Sequence, residues 1–163
     1  MKSIQFTHAD KLTLQDLMFH HIHDILLVAS PYDSFVLEED GRLTEQISHE
    51  YMGMNFSNAP RVWQASTAAD ALTMLSRQDF DLIIVMMRIA DMDPVLFCAK
   101  IKETYPKKPV ILLAFDESEV KQLPEDFENS AIDRVFIWSG NANVLLAIVK
   151  MLEDAMNIRR DIK

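Results

Sequence analysis

Scarcity marks this sequence first: its 163 residues include 3 glycines, 6 prolines and a single cysteine. So little glycine and proline excludes collagen-like, mucin-like and long disordered chains. The lone Cys98 rules out an internal disulfide, and no Cys or His stands near it at metal-ligand spacing. It reads as a small buried hydrophobe in a helix, in a protein of a reducing compartment. Apolar runs fall far short of the ~18 residues that span a bilayer, and the N-terminus lacks the basic stretch and apolar core of a signal peptide. The expected location is therefore cytoplasmic, with no membrane partner. Positive charge is scarce as well: 16 Lys and Arg face 25 Asp and Glu, for a net charge of −9. With no basic stripe to concentrate the few cations, nucleic acid is not an expected partner.

What the chain does have is a core. Hydrophobic residues make up 49% of it and charged ones 25%, as in a folded domain that, at roughly 150 residues, buries about 70% of its unfolded surface. Residues 25–29, 82–87, 110–115 and 135–138 are apolar on consecutive positions, which suits strands covered on both faces. Residues 61–66 are more mixed, as an edge strand is. Between these runs the spacing turns helical. Ser66 or Thr67 caps a helix with Ala68, Ala71, Leu72 and Leu75 inward, and Thr67 and Asp70 stand at capping-box spacing. Asp93 then Pro94 opens another, with Leu96, Ala99 and Ile101 inward and Lys100, Lys102 and Glu103 outward. A last helix starts at residues 141–143, aligns Val144, Leu145, Ile148 and Leu152, and runs toward the end of the chain.

Five strands alternating with helices predict an α/β fold: a three-layer sandwich with a parallel sheet in the flavodoxin-like order 2-1-3-4-5. Residues 1–23 exceed that plan and carry Leu12, Leu14, Leu17, Met18 and Ile22 at helical spacing, so an extra N-terminal helix is expected. Residues 31–60 are too long for one crossover helix. With Gly41 and Gly53 as breaks, they predict a short helix over 35–39, a turn at Asp40-Gly41 and a second helix over 43–51. The expected organisation is an N-terminal helical extension (1–23), one domain (24–155) and a helix end or linker (156–163).

The block DLIIVMMRIADMDPVLFCAKIKETYPKKPVILLAFD, residues 81–116, resembles the third through fourth strands of a response-regulator receiver domain, the CheY-like family. With DILLVASP at 24–31 and IDRVFIWSGNANVLLAIV at 132–149, the resemblance spans about residues 24–155. It implies the fold already predicted. It also implies a pocket, and there the chain departs from the family. A working receiver holds Mg²⁺ with an acidic pair after the first strand and a phosphoacceptor Asp ending the third, and the metal neutralises the incoming phosphoryl group. The positions matching the pair are Ala29 and Ser30, and the position matching the acceptor is Met86. The hydroxyl residue after the fourth strand is matched by Ala114, and the Lys after the fifth by Trp138. The chain thus looks like a pseudo-receiver, with no catalytic residue, metal or cofactor expected. SPYDSFVLEEDGRL at 30–43, MMRIADMD at 86–93 and IDRVFIWSGNANVLLAIVKMLEDAMNI at 132–158 are together similar to the N-terminal pseudo-receiver of some bacterial proteins of the phosphoenolpyruvate synthase and pyruvate phosphate dikinase type. That implies a piece of a larger chain. Any parental phosphotransferase activity then lies elsewhere, because no Gly-rich phosphate loop or phosphohistidine segment is present here.

Displaced acids are the first alternative. Asp33, just past the first strand, and Asp91 and Asp93, just past the third, are expected at the carboxyl edge of the sheet, where such folds bind ligands. A relocated metal site competes there with ordinary roles: helix capping for Asp93, and solvated turn acids near helix N-termini for Asp33 and Asp91. His20, His21 and His23 cluster beside Asp24, but no further ligand follows at familiar spacing, so a solvated helix end is expected. A Ser, His and Asp set is not supported, since no GxSxG elbow exists. The ten methionines read mainly as core filler. Trp138 either plugs the vacated pocket or turns outward as an interface anchor, plugging being the expectation.

In working receivers the face made by the fourth helix, fifth strand and fifth helix pairs with partners. The resemblance implies that surface here on Asp133, Arg134, Phe136 and the helix from Val144. Without phosphorylation to switch it, constitutive association is expected, with a protein partner, an adjacent domain of the same chain or a second copy. The expected function is a phosphorylation-independent regulatory module of bacterial signal transduction. Two alternatives stay open: a small-molecule sensor using the carboxyl-edge crevice, and a receiver phosphorylated at a displaced Asp.

Overall fold

The structure, a computed structural model, describes residues 22–40, 60–125, 132–138 and 143–162, with side chains for all of these except 39, 40, 143, 144 and 156–162. In chain order the elements are β1 (Asp24–Val28), α1 (Pro31–Phe35) running into a π-helical turn (Val36–Asp40), β2 (Arg61–Ala65), α2 (Ala68–Arg77), β3 (Leu82–Met86), α3 (Pro94–Thr104), β4 (Val110–Ala114), α4 (Glu117–Val120), β5 (Arg134–Ile137) and α5 (Asn143–Ile162). The strands form one parallel sheet in the order β2-β1-β3-β4-β5. The expected topology is therefore the observed one. The expected helices over 1–23 and 43–51 lie outside the described residues.

β1, β3 and β4 are central, and every residue of β3 and β4 is buried. Their alternate side chains feed two faces. Leu26, Val28, Ile83, Val85, Val110 and Leu112 join one hydrophobic cluster with Ala68, Ala71 and Leu75 of α2 and Phe97, Cys98 and Ile101 of α3. Ile25, Leu27, Ile84, Ile111 and Leu113 on the other face are equally inaccessible. Such double coverage is what turns a run of consecutive Val, Ile and Leu into a central parallel strand.

Each strand stops one residue short of its apolar run. The next residues still bond to the neighbouring strand: Ala29 N–H donates to the Ala65 carbonyl (3.0 Å) and Trp138 N–H to the Ala114 carbonyl (2.7 Å). β5 departs from expectation in its cover. Its consecutive apolar residues predicted burial on both faces, yet Arg134 and Ile137 are exposed and Val135 and Phe136 half-buried, because the strand order leaves β5 at an edge.

The helices start where their caps dictate. Thr67 Oγ1 accepts the Asp70 N–H at 3.0 Å, and Asp93 Oδ2 accepts those of Val95 and Leu96 at 3.1 Å, ahead of Pro94 in the first turn. Each cap contributes about 1 kcal/mol. In α3 the inward face is Phe97, Cys98 and Ile101, while Leu96 and Ala99, expected inward, are exposed. The segment PVLFCA is apolar at every position, so periodicity could not fix its rotation. Lys102, expected outward, is half-buried and bonds both the Lys108 carbonyl (2.6 Å) and Asp133 (2.9 Å).

The chain divides into two compact units, one of them His23–Val144, which holds the sheet. In the other, the Ile22 N–H donates to Glu153 Oε2 at 2.6 Å, and Leu145, Ile148 and Val149 of α5 are buried.

The observed rotation of α3 gives opposite expectations for adjacent residues. Phe97→Ala should destabilise by about 3–5 kcal/mol in urea titration, whereas Leu96→Ala, at a position 65% exposed, should shift the midpoint by less than about 0.5 kcal/mol.

Candidate functional site

In a parallel sheet wound this way, ligands approach the carboxyl ends of the strands. Four strand ends meet the candidate positions here. Ala29 and Ser30 follow β1, Met86 closes β3, Ala114 closes β4 and Trp138 follows β5. Ala29, Met86 and Ala114 are no more than 1% exposed, and Trp138 is 8% exposed. A methyl, a thioether, a methyl and an indole offer no oxygen ligand. The hydroxyl of Ser30 is already used, accepting the Asp33 N–H at 3.1 Å as the N-cap of α1.

The charged group that the structure brings to this edge is an ion pair. Asp33, expected as a solvated turn acid, is 1% exposed. Arg88 is what permits that burial. It arrives two residues beyond β3 and grips the carboxylate with both sides of its fork, Nη2 to Oδ1 at 2.7 Å and Nε to Oδ2 at 3.4 Å. The same guanidinium lies 3.9 Å from Glu119 Oε2 and 5.3 Å from the centre of the Phe115 ring. Glu119 is itself held by accepting the Phe115 N–H at 2.7 Å. The Asp33 hydrogen bond, followed by the charges of Asp33 and Glu119, raises the Arg88 pKa against a desolvation that lowers it. Helix α1, loop β3-α3 and helix α4 are thus tied together by one cation.

The other two displaced acids face elsewhere. Asp91 reaches across to the start of α2, where Oδ1 accepts the Ala68 N–H (2.8 Å) and Oδ2 that of Ala69 (3.1 Å). Those bonds, the Ala68 one foremost, hold its carboxyl below the usual range. Asp93 caps α3. Asp116 caps α4, accepting the Ser118 hydroxyl (2.5 Å) and the Glu119 N–H (3.0 Å), and its pKa is lowered chiefly by that hydroxyl. Among the described residues no three His, Cys, Asp or Glu side chains gather around a point where a metal ion would sit.

The remaining candidates are more scattered. His20 and His21 lie outside the described residues, and exposed His23 donates its backbone N–H to Asp81 at 2.9 Å. Asp133 is occupied, accepting the Val110 N–H (2.7 Å) as well as pairing with Lys102. Arg134 is exposed, Phe136 half-buried, and the Val144 side chain outside those described. Arg88 and Glu119 were not legible as site residues. The one signal was a lone cation directly after the apolar run 82–87, with an acid pending after the first strand.

No family model and no curated protein matches the sequence. Solved structures do match. The signal receiver domain of an HD domain-containing protein from Pseudomonas fluorescens superposes with a TM-score of 0.58 at 23% identity, covering 80% of this chain and 94% of that one. The fold is that of a receiver domain. The response regulator TrrA from Thermotoga maritima, solved in complex with Mg²⁺ and beryllium fluoride, is similar at a TM-score of 0.57 and 18% identity, over 80% of this chain and 99% of its own. The receiver domain of a signal transduction histidine kinase from Syntrophus aciditrophicus matches at 0.54 and 23%, over 80% and 89%.

Two tests follow from the geometry of that edge. Arg88→Met strands a buried carboxylate and should cost about 3–5 kcal/mol, whereas Asp33→Asn leaves a half-exposed guanidinium free to turn to water and should cost less than half of that. Equal losses in urea titration would contradict this asymmetry. Because the folded-state pKa of Asp91 lies below the unfolded one, its contribution is complete above the unfolded value, near pH 4, and fades as pH falls through the folded value. Asp91→Asn should therefore flatten the loss of stability on acidification below about pH 4.

Proposed function

We propose that this chain is a regulatory interaction module of bacterial signal transduction that works without phosphorylation, in the cytoplasm and as the N-terminal part of a larger protein. The observation that carries the reading is Met86, buried at the carboxyl end of the central strand β3. An acyl phosphate needs a carboxylate oxygen as nucleophile, and a thioether cannot supply one. Mg²⁺ requires hard oxygen ligands in near-octahedral array. The side chains of Ala29, Ser30, Met86, Ala114 and Trp138 do not offer that ion its oxygen ligands.

The Asp33 and Arg88 pair supports the same reading. Among the described residues, the one acid buried at this edge already has its counter-cation, supplied by the chain. Trp138 and Met86, both buried, are filling groups in this view. They also weigh against a sensor crevice, which requires open volume at the same strand ends. Partner contact is assigned to the β5 side, where Arg134 and Ile137 are exposed beside Asp133 and Phe136, and the partner is an adjacent domain, another protein or a second copy. The larger-chain context is proposed from the resemblance of residues 30–43, 86–93 and 132–158 to the N-terminal pseudo-receiver of phosphoenolpyruvate synthase-type proteins.

Incubation with acetyl phosphate and Mg²⁺, followed by intact-mass measurement, tests the reading. The mass should not change, and beryllofluoride with Mg²⁺ should leave the backbone amide spectrum in place. A stoichiometric gain of about 80 Da, one phosphoryl group, would show an acceptor such as Asp33, Asp91 or Asp93 at work.

A further inference from the structure

Helix α4 is four residues long and contributes no buried side chain. A single helical turn does not sustain itself in water, so contacts with the rest of the chain must keep it in place. Its cap does not do this: Asp116 accepts the Ser118 hydroxyl and the Glu119 N–H, bonds internal to the turn. Among the described residues two attachments stand out. Downstream, half-buried Val120 packs against the core cluster that Leu123 enters. Upstream, Glu119 uses both carboxylate oxygens: Oε1 accepts the Phe115 N–H at 2.7 Å, and Oε2 lies 3.9 Å from Arg88 Nε. The Phe115 ring lies under the same guanidinium.

One Nε is therefore contested by two acids of unequal grip. Asp33 is buried and takes both sides of the fork, at 2.7 and 3.4 Å. Releasing it would leave a carboxylate inside the protein without a partner, which is costly. Glu119 meets the same Nε only at 3.9 Å, on a guanidinium side chain that is more than half exposed. A contact of that kind shifts an equilibrium by about fivefold at most. When α1 and α4 are pulled apart, the break falls at Glu119 and not at Asp33. An element with little buried surface and a weak polar tether lies at the low end of local stability, below the strands it adjoins.

We propose that α4 is a strap latched to Arg88 through Glu119, and that it opens as a unit while Asp33, Arg88 and the sheet stay in place. In the closed form one guanidinium fixes α1 and α4 together. In the open form it fixes α1 alone. Opening gives up the Glu119 bond to the Phe115 N–H, so that amide reports the state of the latch. The input to the device is electrostatic. Salt screens a half-exposed pair far more than a buried one, so rising ionic strength loosens Glu119 before it affects Asp33. The inference does not depend on whether any Asp of this chain accepts a phosphoryl group, and it concerns elements other than β5.

The test uses the full chain, ¹⁵N-labelled, with native-state amide hydrogen exchange followed residue by residue and corrected for intrinsic rates. The Phe115, Val120 and Lys121 amides should exchange as one group, ahead of those of β3 and β4. Raising salt from about 0.02 M to about 0.5 M should speed that group roughly threefold. Glu119→Gln keeps an oxygen for the Phe115 N–H but loses the charge. It should speed the group about three- to fivefold, leave β3 and β4 unchanged and abolish the salt effect. Glu117→Gln removes an equal charge from the same turn at an exposed site, and should change the group by less than about twofold. Exchange of the group at the rate of β3 and β4, or equal effects of the two glutamine variants, would overturn the proposal. So would Glu119→Gln speeding the strands as much as α4, which would mark a contribution to overall stability alone.

Discussion

A parallel strand covered on both faces has room for charge only at its ends, and this constraint governs the rest of the molecule. β3 and β4 are buried at every residue. Any acid, base or hydroxyl that does chemistry must therefore sit in a turn, at one edge of the sheet or the other. The two edges are used differently. At the amino edge Asp81 accepts the N–H groups of His23 and Asp24, and Asp133 that of Val110, so carboxylates hold the strand starts in place. At the carboxyl edge the strand ends are apolar, and the acids have moved outward into caps and into the pair with Arg88.

That pair shows why counting acids near a pocket is a poor guide to metal binding. Three carboxylates lie past the first and third strands, as an ion site would require, but each has its own obligation. Asp33 is buried and must be neutralised, which a bidentate guanidinium does well. Asp91 and Asp93 serve the first turns of two different helices. The positive ends of helices and one arginine have divided among themselves the negative charge that a divalent cation would otherwise gather.

Much of the fold was readable because its signals were redundant. Strand runs, the Thr67 and Asp93 caps and the alternation of elements all pointed to one topology, and the sheet has it. The losses have physical causes. α3 is apolar along PVLFCA, so Leu96 and Ala99 were placed inward in place of Phe97 and Cys98, while Ile101 is buried as expected. β5 carries the composition of a covered strand but is an edge, since composition records what a strand tolerates and not how many neighbours it has. Of the site, the apolar identity of the strand ends was plain in the sequence. The union of Asp33 with Arg88 was not: it joins residues 55 positions apart, and burial of a carboxylate cannot be inferred before its partner is located.

The crossing reach of Asp91 ties the turn after β3 to the start of α2, which belongs to a different crossover unit. Arg88, from the same turn, holds Asp33 of α1 and lies beside Glu119 of α4. Two side chains thus brace turns that the backbone alone would leave joined only through their strands.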